Sequence, residues 1–105
     1  MKSDNGFLSK RMEESYSYLF EEEALRWSAM NGYLSIVKFL VNKGANIHAE
    51  DDYALKWSVY NGYLPIVKFL VSKGANIHAN NDLALRWSVR EGHLPVVEFL
   101  KNEMR

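Results

Sequence analysis

Three histidines are the side chains best suited to bind a transition metal in this chain, which has 105 residues and no cysteine. His48 and His78 are separated by thirty residues, and His93 occupies the helix-to-helix turn position at which the other units have Tyr33 and Tyr63. A zinc ion needs its ligands about 2 Å away, whereas adjacent helical units pack about 10 Å apart. We therefore expect no metal site and no cofactor, and interpret the histidines as turn residues hydrogen-bonded to the backbone.

The serines and carboxylates that could take part in catalysis lack the surroundings that catalysis requires. Ser28, Ser58 and Ser88 recur every thirty residues within predicted helices, without the glycine-rich elbow of a nucleophilic serine. The carboxylates at 21–23 and 50–52 form a charged edge rather than an acid and a base in an apolar pocket. The sequence predicts no catalytic residue and a protein that is not an enzyme.

Charge and hydropathy argue against two further classes of partner. Thirteen basic residues balance thirteen acidic residues, so the formal net charge is zero and affinity for a nucleic-acid backbone would be weak. The longest apolar runs are far shorter than the roughly 20 residues that cross a bilayer, and the N-terminus lacks the apolar core of a secretory signal. We expect no nucleic-acid partner, no membrane contact and a location in the cytoplasm.

The positions of these residues follow an internal repeat of thirty residues. Trp27, Trp57 and Trp87 are thirty apart, and glycines follow the same step. The segments 24–53 and 54–83 are identical at 22 of 30 positions, because only eight positions differ. A third copy begins at residue 84, so the chain is predicted to be a stack of similar units.

Each unit is predicted to contain two helices and a connector. The first helix begins after Asp52, a favourable N-cap residue, and ends at Gly62. The second helix carries an apolar stripe over 64–73, has Pro65 in its first turn and ends at Gly74. A turn-rich connector then leads into the next unit.

The sequences Gly-Ala-Asn-Ile-His-Ala at 44–49 and Asn-Gly-Tyr-Leu-Pro-Ile-Val-Lys-Phe-Leu at 61–70 resemble the ankyrin repeat. The resemblance implies an all-α ankyrin-repeat solenoid of stacked helix–turn–helix units, with repeats at 24–53 and 54–83 and a C-terminal capping repeat at 84–105. The usual unit is about three residues longer. The shortfall lies where the family builds its β-hairpin tip, so shortened connecting hairpins are expected. Short repeats of this kind also resemble those of giant amoeba-infecting DNA viruses.

The family's Thr-Pro-Leu-His signature is replaced here, by Tyr-Ala-Leu-Lys at 53–56 and by Leu-Ala-Leu-Arg at 83–86. Acidic and basic residues four apart could substitute for the hydrogen bonds of the lost histidine. The predicted pairs are Glu22 with Arg26, Asp52 with Lys56 and Asp82 with Arg86, with both aspartates also capping their helices. Each pair would contribute about 0.2–0.5 kcal/mol, and the alternative, that they are solvated surface charges, stays open.

Residues 1–23 do not match the repeat but have helical spacing of their apolar side chains. These side chains are Phe7, Leu8, Met12, Tyr16, Leu19 and Phe20. Stepping back thirty residues from Leu34 puts this stretch where a preceding outer helix would lie. We predict that residues 1–23 form a degenerate helical cap for the first full repeat.

The resemblance implies a non-catalytic module that binds a partner protein through its concave inner-helix and connector face. Positions at which the units differ are free of packing demands, so we predict that the contacts lie there. The candidates are Glu23, Met30, Glu50, Asp51, Tyr53, Tyr60, Asn80, Asn81, Leu83 and Arg90. The alternative is a structural unit that self-associates through the exposed ends of the array. For a viral chain, the partner would be a host protein in the host cytoplasm.

The three tryptophans leave two interpretations open. Buried, they would form an aromatic stack between inner helices, which is the commoner fate of a periodic aromatic residue and the interpretation that we favour. Partly exposed, they would be interface residues of the kind that contributes most to binding.

Overall fold

Within residues 20–105, the part of the chain that the computed structural model describes, there are six helices and no strand. Helix α1 covers residues 20–31. The helices that follow are α2 (Leu34–Asn42), α3 (Ala49–Tyr60), α4 (Leu64–Ser72), α5 (Ala79–Arg90) and α6 (Leu94–Glu103). The predicted all-α architecture is confirmed. Of the predicted cap at 1–23, residues 1–19 lie outside the described part, and residues 20–23 belong to α1.

The helices form two layers. Helix α3 packs on α5 in one layer, and α4 packs on both α2 and α6 in the other. Helix α1 joins the first layer, since the Asn61 side chain at the end of α3 donates a hydrogen bond to the Met30 carbonyl, 3.0 Å away. Each odd-numbered helix is followed by its even-numbered partner, so the chain is a stack of helix pairs.

The core is built from residues that the repeat keeps constant in character. Leu25 and Leu55 are fully buried in the first layer, while Ile66 and Leu70 are fully buried in the second. The three repeated serines are also buried, and each Oγ donates to a carbonyl three residues earlier, over 2.7–3.0 Å. These serines are therefore packing residues on the small-residue face of the inner helices.

Glycine ends the inner helices for two reasons. Gly32 and Gly62 adopt φ values of +83° and +77°, which side chains rarely adopt. In addition, a Cβ at Gly32 would lie 2.9 Å from the Tyr63 ring, and one at Gly62 would lie 2.5 Å from the His93 ring. The aromatic residue at the start of α4 and that at the start of α6 thus pack onto the glycine of the preceding unit.

The connectors contain an unusual left-handed turn. Three consecutive residues in each have φ between 53° and 60°, and the right-handed part of α3 begins only at Tyr53. These residues are Glu50, Asp51, Asp52, Asn80, Asn81 and Asp82. The left-handed conformation costs about 1–2 kcal/mol per residue, and after glycine it is Asn and Asp that tolerate it best. The predicted shortening of the hairpins takes this form, since no strand occurs between residues 20 and 105.

This turn also explains why the predicted four-residue ion pairs are wrong. Asp52 lies in the left-handed turn, so it is not one right-handed helical turn before Lys56. Its carboxylate, 4% exposed, instead accepts a hydrogen bond from the backbone N–H of Asn76, 2.7 Å away, and lies 3.0 Å from His48 Nδ1. Asp52 therefore ties its own connector to the next one rather than capping its helix.

The basic residues of the inner helices also reach beyond their predicted partners. Lys56 Nζ donates to the Asn80 side chain of the next connector. Arg86 donates to the carbonyls of Asn80 and Asn81 instead of pairing with Asp82. The predicted capping role of Asp82 is likewise absent, because its carboxylate binds His78.

In the first unit, Arg26 pairs with two carboxylates other than Glu22. It forms an ion pair with Glu23 at 3.7 Å and a hydrogen bond with Glu50 of the next connector. The contact between Arg26 and Glu50 has the same register as that between Lys56 and Asn80, which makes it a repeated link between units.

Candidate protein-interaction surface

We call the surface formed by residues 20–31, 49–60 and 79–90 the inner face. All ten sequence-predicted contact residues lie within these segments, and none of them is buried. Six are exposed and four are partly exposed. The exposed ones are Glu23, Glu50, Asp51, Asn80, Asn81 and Arg90, and the partly exposed ones are Met30, Tyr53, Tyr60 and Leu83.

Four aromatic rings form a continuous group on the inner face, which we call the aromatic cluster. Its members are Tyr53, Trp57, Tyr60 and Trp87, all partly exposed. The Trp57 ring lies 5.8 Å from Tyr53, 5.1 Å from Tyr60 and 5.6 Å from Trp87. The Tyr60 and Trp87 rings are 5.3 Å apart and nearly perpendicular, which is a favourable aromatic arrangement. Two predicted contact residues, Tyr53 and Tyr60, are therefore brought together by two tryptophans.

The favoured interpretation of the tryptophans as a buried stack is wrong. Trp57 and Trp87 do contact each other, but both remain partly exposed. Trp27 is 54% exposed and packs on Tyr33 of its own unit, at 5.2 Å between ring centroids. The physical reason is the helical period: the buried residues 54, 55, 58 and 59 point to the core, which leaves residue 57 on the other side.

An acidic hollow of about 390 Å³ lies between α1 and the first connector. Three carboxylates line it, those of Glu22, Glu23 and Glu50, together with Arg26 and Tyr53. The Arg26 guanidinium carbon lies 5.2 Å from the Tyr53 ring centroid, a cation–π distance. The structure thus brings three predicted contact residues, Glu23, Glu50 and Tyr53, around one arginine.

Glu22 makes this hollow different from its counterpart in the next unit. It occupies the position equivalent to Asp52, yet its Oε2 is buried and has no hydrogen-bond partner. Asp52 reaches the backbone N–H of Asn76, and the corresponding bond from Asn46 to Glu22 is not formed among the described residues. A carboxylate with an unsatisfied buried oxygen therefore faces the acidic hollow.

An open depression of about 540 Å³ extends the inner face over α1. Its lining combines apolar and charged residues, namely Phe20, Glu23, Ala24, Arg26, Trp27 and Met30. Two predicted contact residues, Glu23 and Met30, lie here. The remaining predicted residues are not part of any of these groups, namely Asp51, Asn80, Asn81, Leu83 and Arg90.

The histidines bind carboxylates and carbonyls rather than a common centre. His93 Nε2 lies 2.9 Å from the Tyr60 carbonyl, as the turn interpretation predicts. The prediction of backbone partners is wrong for His48 and His78, whose Nδ1 atoms bind Asp52 and Asp82. Across residues 20–105, no three His, Asp or Glu side chains are grouped as a metal site would require. In the same region, every helix is too short or too polar to cross a membrane.

Exposure of Trp27, Trp57 and Trp87 is the less favoured of the two interpretations of the sequence, because a periodic aromatic residue is more often buried. These residues are identical in every unit and still exposed. A second signal was present: Tyr53, Trp57 and Tyr60 are spaced four and three apart, so they form their own helical stripe opposite the buried one. Reading both stripes would have found the aromatic cluster.

The comparison with family models agrees with this architecture. The model described as "Ankyrin repeats (3 copies)" matches residues 5–81 and 25–104, so together the matches cover nearly the whole chain. The first match begins inside the segment predicted as a cap. A search of curated proteins gave no match. Ankyrin repeats are generally modules for protein–protein interaction. With its stacked helix pairs and a family match over most of its length, this chain belongs to the ankyrin repeat family.

Proposed function

We propose that this chain is a non-catalytic module that binds a partner protein through its inner face. The aromatic cluster is the observation that carries the proposal. Tyrosine and tryptophan are enriched among the residues that contribute most to protein interfaces. Here four such rings contact one another and all keep part of their surface exposed. A preformed group of rings requires little ordering when a partner docks.

Two of the ten predicted residues, Tyr53 and Tyr60, belong to the cluster, and the other eight, on the same inner face, would set the choice of partner. Differences between units at positions 30, 60 and 90 replace Met by Tyr and then Arg, which changes size, aromaticity and charge. Position 50 and its equivalent 80 also hold the units together, because Arg26 binds Glu50 and Lys56 binds Asn80. A change of residue at position 50 or 80 would therefore alter both the inner face and the contact between neighbouring units.

Capture of proteins from an amoebal cell lysate tests the proposal, because the short repeats resemble those of giant viruses. Tyr60→Ala with Arg90→Ala should abolish capture of any protein that the native chain enriches, with the helical circular dichroism signal unchanged. A matched control changes Leu94→Ala and Lys101→Ala, an exposed apolar and an exposed basic residue of α6. Equal capture by the native and the Tyr60–Arg90 variant would show that the inner face is not the binding surface.

A second candidate function, self-association through the ends of the stack, is favoured by a different observation. Val89 is 58% exposed, whereas the equivalent Val59 is fully buried. At the opposite end, Ile36 is 41% exposed and the equivalent Ile66 only 1%. Sedimentation over a range of concentrations decides between the candidates. Association that Val89→Glu abolishes would support this function, while a monomer at every concentration would exclude it.

We also propose that residues 1–23 form the predicted cap. Ile36 and Phe39 present apolar surface on the side where a preceding outer helix would lie, and the family match begins at residue 5. The helical spacing of the apolar residues in 1–23 supports the same assignment.

A further inference from the structure

The charged side chains that form no ion pair are distributed unequally along the inner face. At the α1 end, Glu22, Glu23, Glu50 and Asp51 supply four carboxylates. The ion pairs there, among the described residues, join only Glu23 and Glu50 to a single guanidinium, that of Arg26. This end therefore carries an excess of negative charge.

The α5 end has the opposite excess. Arg86 is exposed and donates only to backbone carbonyls of Asn80 and Asn81, so its charge is not neutralised. Arg90 is exposed, and among residues 20–105 no carboxylate pairs with it. Within 79–90 the two arginines face one acid, Asp82, whose carboxylate binds His78, so the segment has an excess of one positive charge. The connector before α5 also has fewer acidic residues than the connector before α3, because Asn80 and Asn81 occupy the positions of Glu50 and Asp51.

The aromatic cluster lies between the two ends. Trp57 and Tyr60 belong to the central helix α3, and Trp87 belongs to α5. The inner face therefore presents, in order, negative charge, exposed aromatic surface and positive charge. Complementary charge in this order would fix both the register and the direction of a bound segment.

We propose that the inner face binds a protein segment with a basic end, an apolar or aromatic centre and an acidic end. This inference rests on the proposed function and names the chemistry of the partner. The basic end would lie over the acidic hollow, where Glu22 and Glu23 line a cavity large enough for a lysine or arginine side chain. The acidic end would lie against Arg86 and Arg90. A nucleic acid, negative throughout its length, would be repelled by the α1 end.

Selection from a library of random peptides displayed on phage tests this inference directly. Three inner helices packed about 10 Å apart span roughly 30 Å, and an extended chain covers about 3.3 Å per residue. A peptide of about 12 residues is therefore long enough to cross all three inner helices. The full chain is the target. We expect enriched peptides to carry Lys or Arg towards one terminus and Asp or Glu towards the other, around an aromatic or leucine centre.

Three variants assign each part of the pattern. Glu23→Gln with Asp51→Asn should remove the preference for Lys and Arg while leaving that for Asp and Glu. Arg90→Glu should remove the preference for Asp and Glu while leaving that for Lys and Arg. Tyr60→Ala should remove enrichment altogether, and Lys101→Gln on α6 is the control that leaves the pattern unchanged.

The affinity of one enriched peptide for the full chain gives the size of the effect. Each neutralised charge should weaken binding by about two- to five-fold, the range of exposed ion pairs. The native affinity should also fall when the salt concentration is raised from about 0.05 to 0.5 M, because salt screens exposed charges.

The outcomes separate the two proposals. Enriched peptides without opposite charges at their two ends would overturn this inference and leave the proposed function standing. If Arg90→Glu leaves the charge pattern of the enriched peptides unchanged, the inference is likewise overturned and the proposed function still stands. If the native chain enriches nothing beyond what the Tyr60→Ala chain enriches, the proposed function fails as well.

Discussion

The two junctions between successive units are built from nearly identical sequences yet differ in their contacts. The second junction joins α3 and α4 to α5 and α6. There Asp52 binds the Asn76 backbone, and the rings of Trp57 and Tyr60 contact Trp87. The first junction joins α1 and α2 to α3 and α4. It has Glu22 with a buried, unpartnered oxygen and Met30 in place of a tyrosine.

Glu22 and Met30 mark the difference. Glu22 lies in helix α1, whereas the equivalent Asp52 lies in a left-handed turn, so the two carboxylates start from different backbone conformations and only that of Asp52 accepts a bond from the next connector among the described residues. Met30 for tyrosine removes the ring that, in the second junction, contacts the tryptophan of the following unit. The first junction keeps the hydrogen bond from Asn61 to the Met30 carbonyl and the contact of Tyr63 with Gly32. Arg26 also binds Glu50 and lies over the Tyr53 ring. In a repeat protein, stability is a sum of such neighbour terms, so the second junction should be the more stable.

The largest loss of stability is expected when the segment that precedes the first unit is deleted. Burial of a large apolar side chain contributes about 1.5–3 kcal/mol, and a cap formed by residues 1–23 would cover apolar surface of Ile36 and Phe39 that is exposed without it. Deleting residues 1–19 should lower the free energy of unfolding by about 3 kcal/mol or more, or cause self-association with increased binding of a hydrophobic dye. Calorimetry and sedimentation measure both. An unchanged melting temperature in a monomeric truncated chain would show that the segment caps nothing.

The next effect isolates an aromatic contact at the second junction. Gly62 and Gly92 have nearly equal φ values, +77° and +75°, but only Gly62 has a ring of the next unit against it. Gly92→Ala should cost about 1–2 kcal/mol for the conformation alone. Gly62→Ala should cost about 1–3 kcal/mol more, because its Cβ would overlap the His93 ring.

Urea denaturation of the two glycine variants gives the comparison. The double variant Gly62→Ala with His93→Ala should be more stable than the sum of the single changes predicts, because the clash is gone. Equal costs for Gly62→Ala and Gly92→Ala would mean that His93 does not press on this glycine.

Removing the buried carboxylate tests the difference between the junctions themselves. Asp52→Ala leaves the Asn76 N–H and the His48 side chain without their acceptor and places alanine at a φ of 60°, so it should cost at least about 2–3 kcal/mol. Glu22→Ala is the matched change at the first junction. It should cost well under 1 kcal/mol, or stabilise the fold, because the buried oxygen of Glu22 has no partner to lose. Similar costs for the two changes, measured by urea denaturation, would contradict the comparison.

The sequence predicts the helices well because local signals agree there. Gly62, Pro65 and the apolar stripe over 64–73 all indicate the same boundaries, and α4 (Leu64–Ser72) follows them. The conformation of the connectors is predicted less well, because aspartate at position 52 is favoured as an N-cap residue and also tolerates the left-handed conformation. Propensity alone could not separate these roles, since the choice depends on Asn76 in another unit.

The candidate surface shows the same limit. The ten variable residues are indeed exposed or partly exposed, because positions free of packing vary between units. For Trp57 the sequence favours burial without excluding exposure, because a periodic aromatic residue is more often buried. Its place in the aromatic cluster depends on Tyr60 and on Trp87 from the next helix, and these contacts arise only when the units stack.

The smallest expected effect concerns the left-handed turn, which both connectors share. Asp51 and Asn81 are exposed, have φ of 57°, and glycine adopts this conformation without steric cost. Asp51→Gly and Asn81→Gly should therefore each stabilise the fold slightly, by up to about 1 kcal/mol. The gain should be larger for aspartate than for asparagine if removing a negative charge near Glu50 also helps. Urea denaturation in low and high salt separates the two contributions, because only the charge term is screened. Replacing either residue by alanine is the control and should destabilise, since alanine lacks both the freedom of glycine and the polar side chain that tolerates positive φ. Stabilisation by alanine, or a loss of more than 1 kcal/mol on changing to glycine, would mean that the connector does not hold these residues in the left-handed conformation.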